Sequence, residues 1–90
     1  MDFKYEKDRI YLENENGECT AQVTFPKINK NEVNINHTYV NPSLRGQGIA
    51  DKLVRELALH LRKNNKKAIS TCSYALDWFE RNPEFNDVCK

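Results

Sequence analysis

Apolar and polar residues alternate in the first half of the chain with the period of two that β-strands show. Residues 9–13 and 19–25 follow this pattern, and Cys19 belongs to the apolar face of the second segment. Between them, Asn16-Gly17 is a dipeptide that favours a tight turn between antiparallel strands. The pattern therefore predicts a β-hairpin.

A second alternating segment follows, after a polar loop that we predict at residues 27–31. In residues 33–40, His37 falls on the same face as the apolar Val33 and Ile35 if the strand keeps one phase throughout. His37 is therefore either a functional residue or a hydrogen-bonded histidine of the core.

The period then changes to that of an amphipathic helix over residues 49–64. The apolar stripe of this helix is continuous and consists of Ile49, Leu53, Val54, Leu57, Ala58 and Leu61. His60 lies on the polar side of the stripe, where we expect it to be solvated. The sequence pattern of residues 68–72 predicts a further strand. Residues 74–81 predict a short helix whose aromatic residues are more typical of a core than of a ligand site.

These elements together predict an α+β fold. A strand, a helix and a second strand in succession imply two parallel neighbours joined by a right-handed crossover. The hairpin adds antiparallel strands, so we expect a mixed sheet of about four strands with one long crossover helix and a short C-terminal helix. A chain of 90 residues has room for one core, and residues 1–90 are predicted to form a single domain.

Composition and charge narrow the possible partners. Fourteen basic and thirteen acidic residues give a net charge of +1, which excludes a strong electrostatic attraction to nucleic acid or to an anionic membrane. No apolar run could span a bilayer and the charged start is unlike a signal peptide, so we expect a cytoplasmic protein. Cys19, Cys72 and Cys89 are far apart and lack zinc-ligand spacing, so neither a disulfide framework nor a metal site is predicted.

A short loop with two glycines connects the strand at residues 33–40 to the long helix. Gly46 and Gly48 allow the backbone to approach a ligand closely, and Ala50 keeps the first helical turn uncrowded. No capping residue directly precedes Gly48, so free amide groups and the guanidinium of Arg45 could hold a phosphate-like anion. A plain structural turn fits the same residues, and neither common nucleotide-binding fingerprint is present.

The segment Arg45-Gly46-Gln47-Gly48-Ile49-Ala50 resembles the Arg/Gln-x-x-Gly-x-Gly/Ala signature of the GNAT superfamily of acetyltransferases. The strand before it, the helix after it and the strand beyond follow the order of that superfamily's central segment. The short length, the His-Thr pair before the loop and the Cys-Ser-Tyr followed by a Trp-Phe helix are similar to the minimal, single-domain YjdJ-type GNAT proteins. The resemblance covers nearly the whole chain and is strongest between residues 34 and 79.

The resemblance implies acetyl-coenzyme A as the cosubstrate. The backbone amides from Gly46 through Ala50 would hold its pyrophosphate, and Arg45 would add positive charge. Val40 would pair with the pantetheine arm as though the arm were an added strand. The remaining cofactor-binding residues are expected at the start of the second helix, where Ser73 is predicted as the cap and Tyr74 could contact the cofactor or donate to the leaving sulfur.

Two titratable residues are expected beside the thioester. His37 precedes Val40 by three residues, and an imidazole can accept a proton near neutral pH. Cys72 lies directly before the second helix, where the helix dipole favours a thiolate. Because the resemblance includes both residues, His37 and Cys72 are the predicted catalytic pair, with Cys72 either accepting the acetyl group or only lining the pocket.

The chain differs from longer GNAT domains in its first strands. Those domains have helices between the first strands, whereas a short turn joins them here. We therefore expect an open acceptor site, suited to an exposed amine on a protein or a small molecule, or else completed by a partner subunit. The leading interpretation is an acetyl-CoA-dependent N-acetyltransferase. The alternatives are a coenzyme A-binding module or sensor without turnover, and an interaction domain whose glycine loop is structural.

Overall fold

The computed structural model describes residues 2–90, which form seven strands and two α-helices. In chain order these are β1 (Lys4–Glu6), β2 (Arg9–Glu13), β3 (Cys19–Thr24), β4 (Lys27–Asn29), β5 (Glu32–Ile35), β6 (His37–Val40), α1 (Ile49–Lys63), β7 (Lys67–Ser70) and α2 (Ser73–Arg81). Short 3-10 helices occupy Pro42–Leu44 and Pro83–Val88. Within these residues, no helix combines the length and the apolar character needed to cross a membrane.

The strands form two sheets. Four antiparallel strands follow the order β1-β2-β3-β6, and three strands follow the order β4-β5-β7, in which β5 and β7 run parallel. The α+β class, the hairpin of β2 and β3, and the parallel strand–helix–strand unit are confirmed. The described residues contain seven strands where about four were expected.

The additional strands β1 and β4 are short edge strands. Each has only three residues, all with exposed side chains, which is too short for the repeated alternation that identifies a strand in a sequence. β4 pairs with β5 in a region that was predicted to be a polar loop. β1 is joined to α1 by a hydrogen bond from the Tyr5 hydroxyl to the Glu56 carboxylate.

The strand predicted at residues 33–40 is divided at Asn36. Its two parts, β5 and β6, belong to different sheets. The division reverses the phase of the side chains, because Val33 and Ile35 are buried whereas His37 is exposed. The prediction that His37 shares their apolar face is therefore wrong, and so is the alternative of a core histidine.

A β-bulge changes the orientation of Cys19 in the same way. Leu12 pairs with Ala21, but the next residue, Glu13, pairs with Cys19. Thr20 of β3 therefore has no partner in β2. The Cys19 thiol lies 3.9 Å from the side-chain oxygen of Gln22. Gln22 follows the buried Ala21, so its side chain is on the opposite face of the strand. Cys19 therefore does not share the apolar face that strict alternation predicts.

The core lies between the sheets and the helices. All six residues of the predicted apolar stripe of α1 are buried, which confirms the helix and its orientation. Trp78 and Phe79 of α2 are also buried, as expected for core aromatics. His60 differs from its prediction, because it is half-buried with its ring near those of Tyr5 and Phe25.

Substitution of two leucines of α1, Leu57 and Leu59, tests this packing. Leu57 is 0% exposed and Leu59 is 45% exposed. Leu57→Ala should lower the free energy of unfolding by about 2–5 kcal/mol, because it removes transfer energy and leaves a cavity. The matched control Leu59→Ala should change it by no more than about 0.5 kcal/mol. Urea unfolding measures both values, and equal losses would contradict the orientation of α1.

Candidate acetyl-CoA site

A gap opens between β6 and β7 after Ile35. The carbonyl oxygen of Ile35 accepts hydrogen bonds from the N–H groups of Thr71 (3.0 Å) and Cys72 (3.2 Å), which ends the parallel pairing of β5 and β7. Beyond this point β6 pairs with β3 on its other side. We name the space between β6 and the end of β7 the strand gap.

Two residues of β6 direct their backbone groups into the strand gap. The Asn41 N–H donates to the Thr20 carbonyl at 2.8 Å, so these residues form a hydrogen-bonded pair at the end of the β3–β6 ladder. Bonded and non-bonded pairs alternate along antiparallel strands. The N–H and C=O groups of Val40 and Thr38 therefore point away from β3 and into the strand gap. There the Thr38 N–H is directed at the Cys72 thiol, and an extended ligand can bond to the groups of Val40 and to the Thr38 carbonyl.

A cavity of about 270 Å³ adjoins the strand gap at Val40. Seven of the nine predicted cofactor-binding residues line it, namely Val40, Arg45, Gly46, Gly48, Ile49, Ala50 and Tyr74. Gln47 and Ser73 do not line the cavity. The lining also includes Leu44 and Asp51, which the sequence analysis did not assign to the site.

The cavity wall contains the N-terminus of α1. Gly48 is its N-cap at φ 70° and Gly46 has φ 87°, both in the left-handed region that favours glycine. A Cβ at either position would meet no atom within 4 Å, so the backbone conformation, and not crowding, requires glycine. Because Gly48 has no side chain to cap α1, the first amide groups remain available to an anion.

Two charged side chains modify this environment. Arg45 is exposed and makes no ion pair with any residue from 2 to 90, so its guanidinium is free to contact a phosphate. The Asp51 carboxylate accepts a hydrogen bond from Nε1 of Trp78 at 2.7 Å and lies 3.9 Å from Arg55. These partners orient Asp51 and reduce its repulsion of an anion in the cavity.

Tyr74 contributes a neutral hydroxyl to the lining. Burial, and next the negative charge of Asp51, raise the pKa of Tyr74 above its usual value. The phenol therefore stays protonated at neutral pH and can donate a hydrogen bond.

Cys72 lies beside the strand gap, opposite β6. It is the N-cap of α2, the position predicted for Ser73. The Cys72 Sγ is 3.7 Å from the hydroxyl oxygen of Thr38. Burial opposes ionisation of Cys72, but four hydrogen-bond donors outweigh burial and lower its pKa. They are the Ala75 N–H, the Thr38 hydroxyl, the Tyr74 N–H and the Thr38 N–H.

The environment of Cys89 has the opposite effect on its thiol. Burial, followed by the negative charge of Asp87, raises the pKa of Cys89. Of these two half-buried thiols, Cys72 therefore has the larger thiolate fraction at neutral pH.

His37 and Cys72 lie on opposite sides of the four-stranded sheet. His37 pairs with Thr24, and Tyr39 pairs with Gln22. Tyr11 also pairs with Gln22. The side chains of Tyr11, Gln22, Thr24, His37 and Tyr39 therefore share the face of the sheet that is turned away from α1. We name it the helix-free face.

Thr38, between His37 and Tyr39, points instead toward Cys72. The structure therefore brings Cys72 together with Thr38 and does not bring it into contact with His37. An unbroken strand over residues 33–40 gives Thr38 the opposite phase, so the sequence pattern does not assign it to the site.

Comparison with known proteins identifies the family. A family model described as GCN5-related N-acetyl-transferase matches residues 9–88. The solution structure of a Staphylococcus aureus protein, provisionally assigned as a GCN5-like N-acetyltransferase, is 34% identical with a TM-score of 0.80. The match covers 99% of this chain and 87% of that one. No curated protein matches this chain.

Two further structures share the fold over part of their length. An Agrobacterium tumefaciens protein, provisionally assigned as an acetyltransferase, is 25% identical with a TM-score of 0.64, covering 81% of this chain and 55% of that one. Tetrahymena GCN5 is 11% identical with a TM-score of 0.64, covering 84% of this chain and 51% of that one. This chain thus spans about half the length of these two proteins.

The family match extends over the strand gap, the glycine loop and both helices, and a neighbour above 30% identity matches almost the whole chain. This chain belongs to the GCN5-related N-acetyltransferase family, whose members use acetyl-CoA as cosubstrate and whose general activity is acetyl transfer.

Proposed function

We propose that this protein transfers the acetyl group of acetyl-CoA to a primary amine on a protein or a small molecule. One observation supports the proposal above all. Val40 belongs both to the free edge of β6 and to the lining of the cavity at the N-terminus of α1, which has no side-chain cap. A ligand with an extended amide-containing arm and a pyrophosphate matches these two features in that order.

The pantetheine arm and the pyrophosphate of the cosubstrate then have partners in the chain. The pantetheine amides pair with the backbone groups of Val40 and Thr38 in the strand gap. The pyrophosphate lies against the amide groups from Gly46 to Ala50, and Arg45 adds a cation. Tyr74 lines the same cavity and contacts the cosubstrate through its hydroxyl.

Cys72 acts first in the proposed reaction. Its thiolate attacks the carbonyl carbon of the acetyl group, the carbon–sulfur bond to coenzyme A breaks, and coenzyme A leaves as a thiolate that takes a proton from solvent. The product is a thioester on Cys72. The Thr38 hydroxyl, 3.7 Å from the Cys72 sulfur, stabilises the attacking thiolate.

The acceptor amine reacts in the second step. The amine approaches from the helix-free face and attacks the thioester carbon, and Cys72 leaves as a thiolate. Because β6 is the edge strand of its sheet, the amine can reach the Cys72 thioester past this edge. His37 is exposed on the helix-free face and does not contact Cys72, so it accepts the proton of the attacking nitrogen through an intervening water.

Substitutions in the glycine loop, residues 45–48, provide the first test. Gly48→Ala should lower stability by about 1–2 kcal/mol through left-handed backbone strain. It should also weaken coenzyme A binding at least tenfold, about 1.4 kcal/mol, because the amide groups move and a methyl group narrows their approach. Gly17 is a matched control, since its φ is 78° and it lies in the β2–β3 turn.

Calorimetric titration with coenzyme A and urea unfolding separate the two effects. Gly17→Ala should lose similar stability and keep its affinity. Equal affinities for Gly48→Ala and the unsubstituted protein would show that the loop is only a turn.

Thiol reactivity gives the second test. Because the pKa of Cys72 is lowered and that of Cys89 is raised, iodoacetamide at pH 7 should modify Cys72 faster. Thr38→Val should slow the reaction of Cys72 and move its pH profile upward, whereas Thr38→Ser should restore both. Peptide mass spectrometry measures each site. Faster modification of Cys89 would contradict the lowered pKa of Cys72, and no effect of Thr38→Val would contradict the role assigned to Thr38.

Intact-mass measurement after incubation with acetyl-CoA gives the third test. Without an amine, the protein should gain one acetyl group, and Cys72→Ala should bind coenzyme A without gaining it. His37→Gln should still be acetylated but should pass the group to propylamine about a hundredfold more slowly, because it lacks the base. The control Lys52→Gln, at an exposed position on α1, should behave as the unsubstituted protein.

Three results would contradict parts of this proposal. Unchanged turnover by Cys72→Ala would establish direct transfer from acetyl-CoA to the amine. Unchanged discharge by His37→Gln would remove its role as base. Coenzyme A binding without transfer to any primary amine would favour a coenzyme A-binding module.

A further inference from the structure

A second cavity, of about 280 Å³, lies at the other end of α1. Three buried apolar residues form its floor and three lysines line its rim, namely Phe25, Val33 and Leu61, and Lys7, Lys27 and Lys66. We name it the basic pocket. Twelve residues of α1 separate Leu61 from Ile49 of the first cavity, about 18 Å at 1.5 Å per residue. The two cavities have no lining residue in common.

The rim of the basic pocket carries positive charge that the protein does not neutralise. Within the described part of the chain, none of its three lysines forms an ion pair. By contrast, Lys4 bonds to Glu13 at 2.7 Å and Lys90 bonds to Glu32 at 3.0 Å. Asp8 is the one acidic residue that lines the pocket. A ligand with a negative group would therefore meet a local excess of cations.

The C-terminus of α1 also borders the pocket, but its carbonyl groups are already bonded. The His60 carbonyl accepts from the backbone N–H and the side-chain amide of Asn64, at 3.2 and 2.8 Å. The Leu61 carbonyl accepts from the Lys66 N–H at 2.9 Å, in a turn closed by Asn65 at φ 56°. The turn thus occupies these carbonyl oxygens and holds Lys66 beside the pocket.

We propose that the basic pocket binds a small organic carboxylate with an apolar body. The lysines attract the carboxylate, and the apolar body covers Phe25, Val33 and Leu61. The His60 ring, 6.5 Å from that of Phe25 between centroids, supplies an aromatic wall. An inorganic anion would leave the floor in contact with water, and a neutral apolar molecule would leave the lysines unused. The volume lies near the lower end for small-molecule sites, roughly 300 Å³.

Amide chemical shifts of the ¹⁵N-labelled full chain test this proposal, with 4-phenylbutyrate as the probe and its neutral amide, 4-phenylbutyramide, as the matched compound. The carboxylate should shift the amides of Asp8, Val33 and Lys66 in a saturable manner, with or without saturating coenzyme A. Lys66→Glu changes the local charge by two units and should weaken the binding at least about fivefold, because the carboxylate then meets a repulsive charge at close range. Lys63→Glu is the control, because Lys63 is exposed on α1 outside the pocket.

Four results would overturn the proposal. They are the absence of saturable shifts at millimolar probe, equal affinity for the neutral amide, shifts centred on the cavity at the N-terminus of α1, and equal losses in Lys66→Glu and Lys63→Glu. Because the two cavities share no lining residue, the acetyl-transfer tests and this test can succeed or fail separately.

Discussion

The separation of β6 from β7 after Ile35 is the constraint on which the site depends. The Ile35 carbonyl accepts two N–H groups at once and ends the parallel ladder, and Asn36 leads the chain into the other sheet. This leaves the backbone groups of Thr38 and Val40 without a strand partner. Such groups are tolerated because water or a ligand can bond to them. The same separation places Thr38 opposite Cys72.

β6 is also the last strand before the crossover helix α1. β6 ends at Val40, and the glycine loop leads directly to α1, so the strand edge and the uncapped amide groups are joined by a short connection. This arrangement explains how a 90-residue chain can contain both halves of a cosubstrate site. The sheet face that carries His37 and Tyr39 remains open, which is consistent with a large or exposed acceptor.

Much of this architecture could be predicted, because the apolar stripe of α1 and the alternation of β2 and β3 reflect burial directly. The break at Asn36 could not, since alternation continues through residues 33–40 without glycine or proline. The pairing of β6 with β3 decides the phase there, and a shift of one residue exchanges the two faces of a strand. His37 was therefore assigned to the wrong face and Thr38 was overlooked. The glycine loop was predicted because positive φ limits the choice of residue.

Amide hydrogen exchange of β6, measured by NMR with and without coenzyme A, tests whether the cosubstrate binds along the free edge of this strand. If the pantetheine arm extends the sheet, the amides of Thr38 and Val40 should exchange more slowly in the complex. The amide of Tyr39, which points toward β3, should change little. We therefore expect exchange to slow at alternate residues of β6. Unchanged exchange at Thr38 and Val40 in the bound protein would show that the strand gap does not hold the cosubstrate.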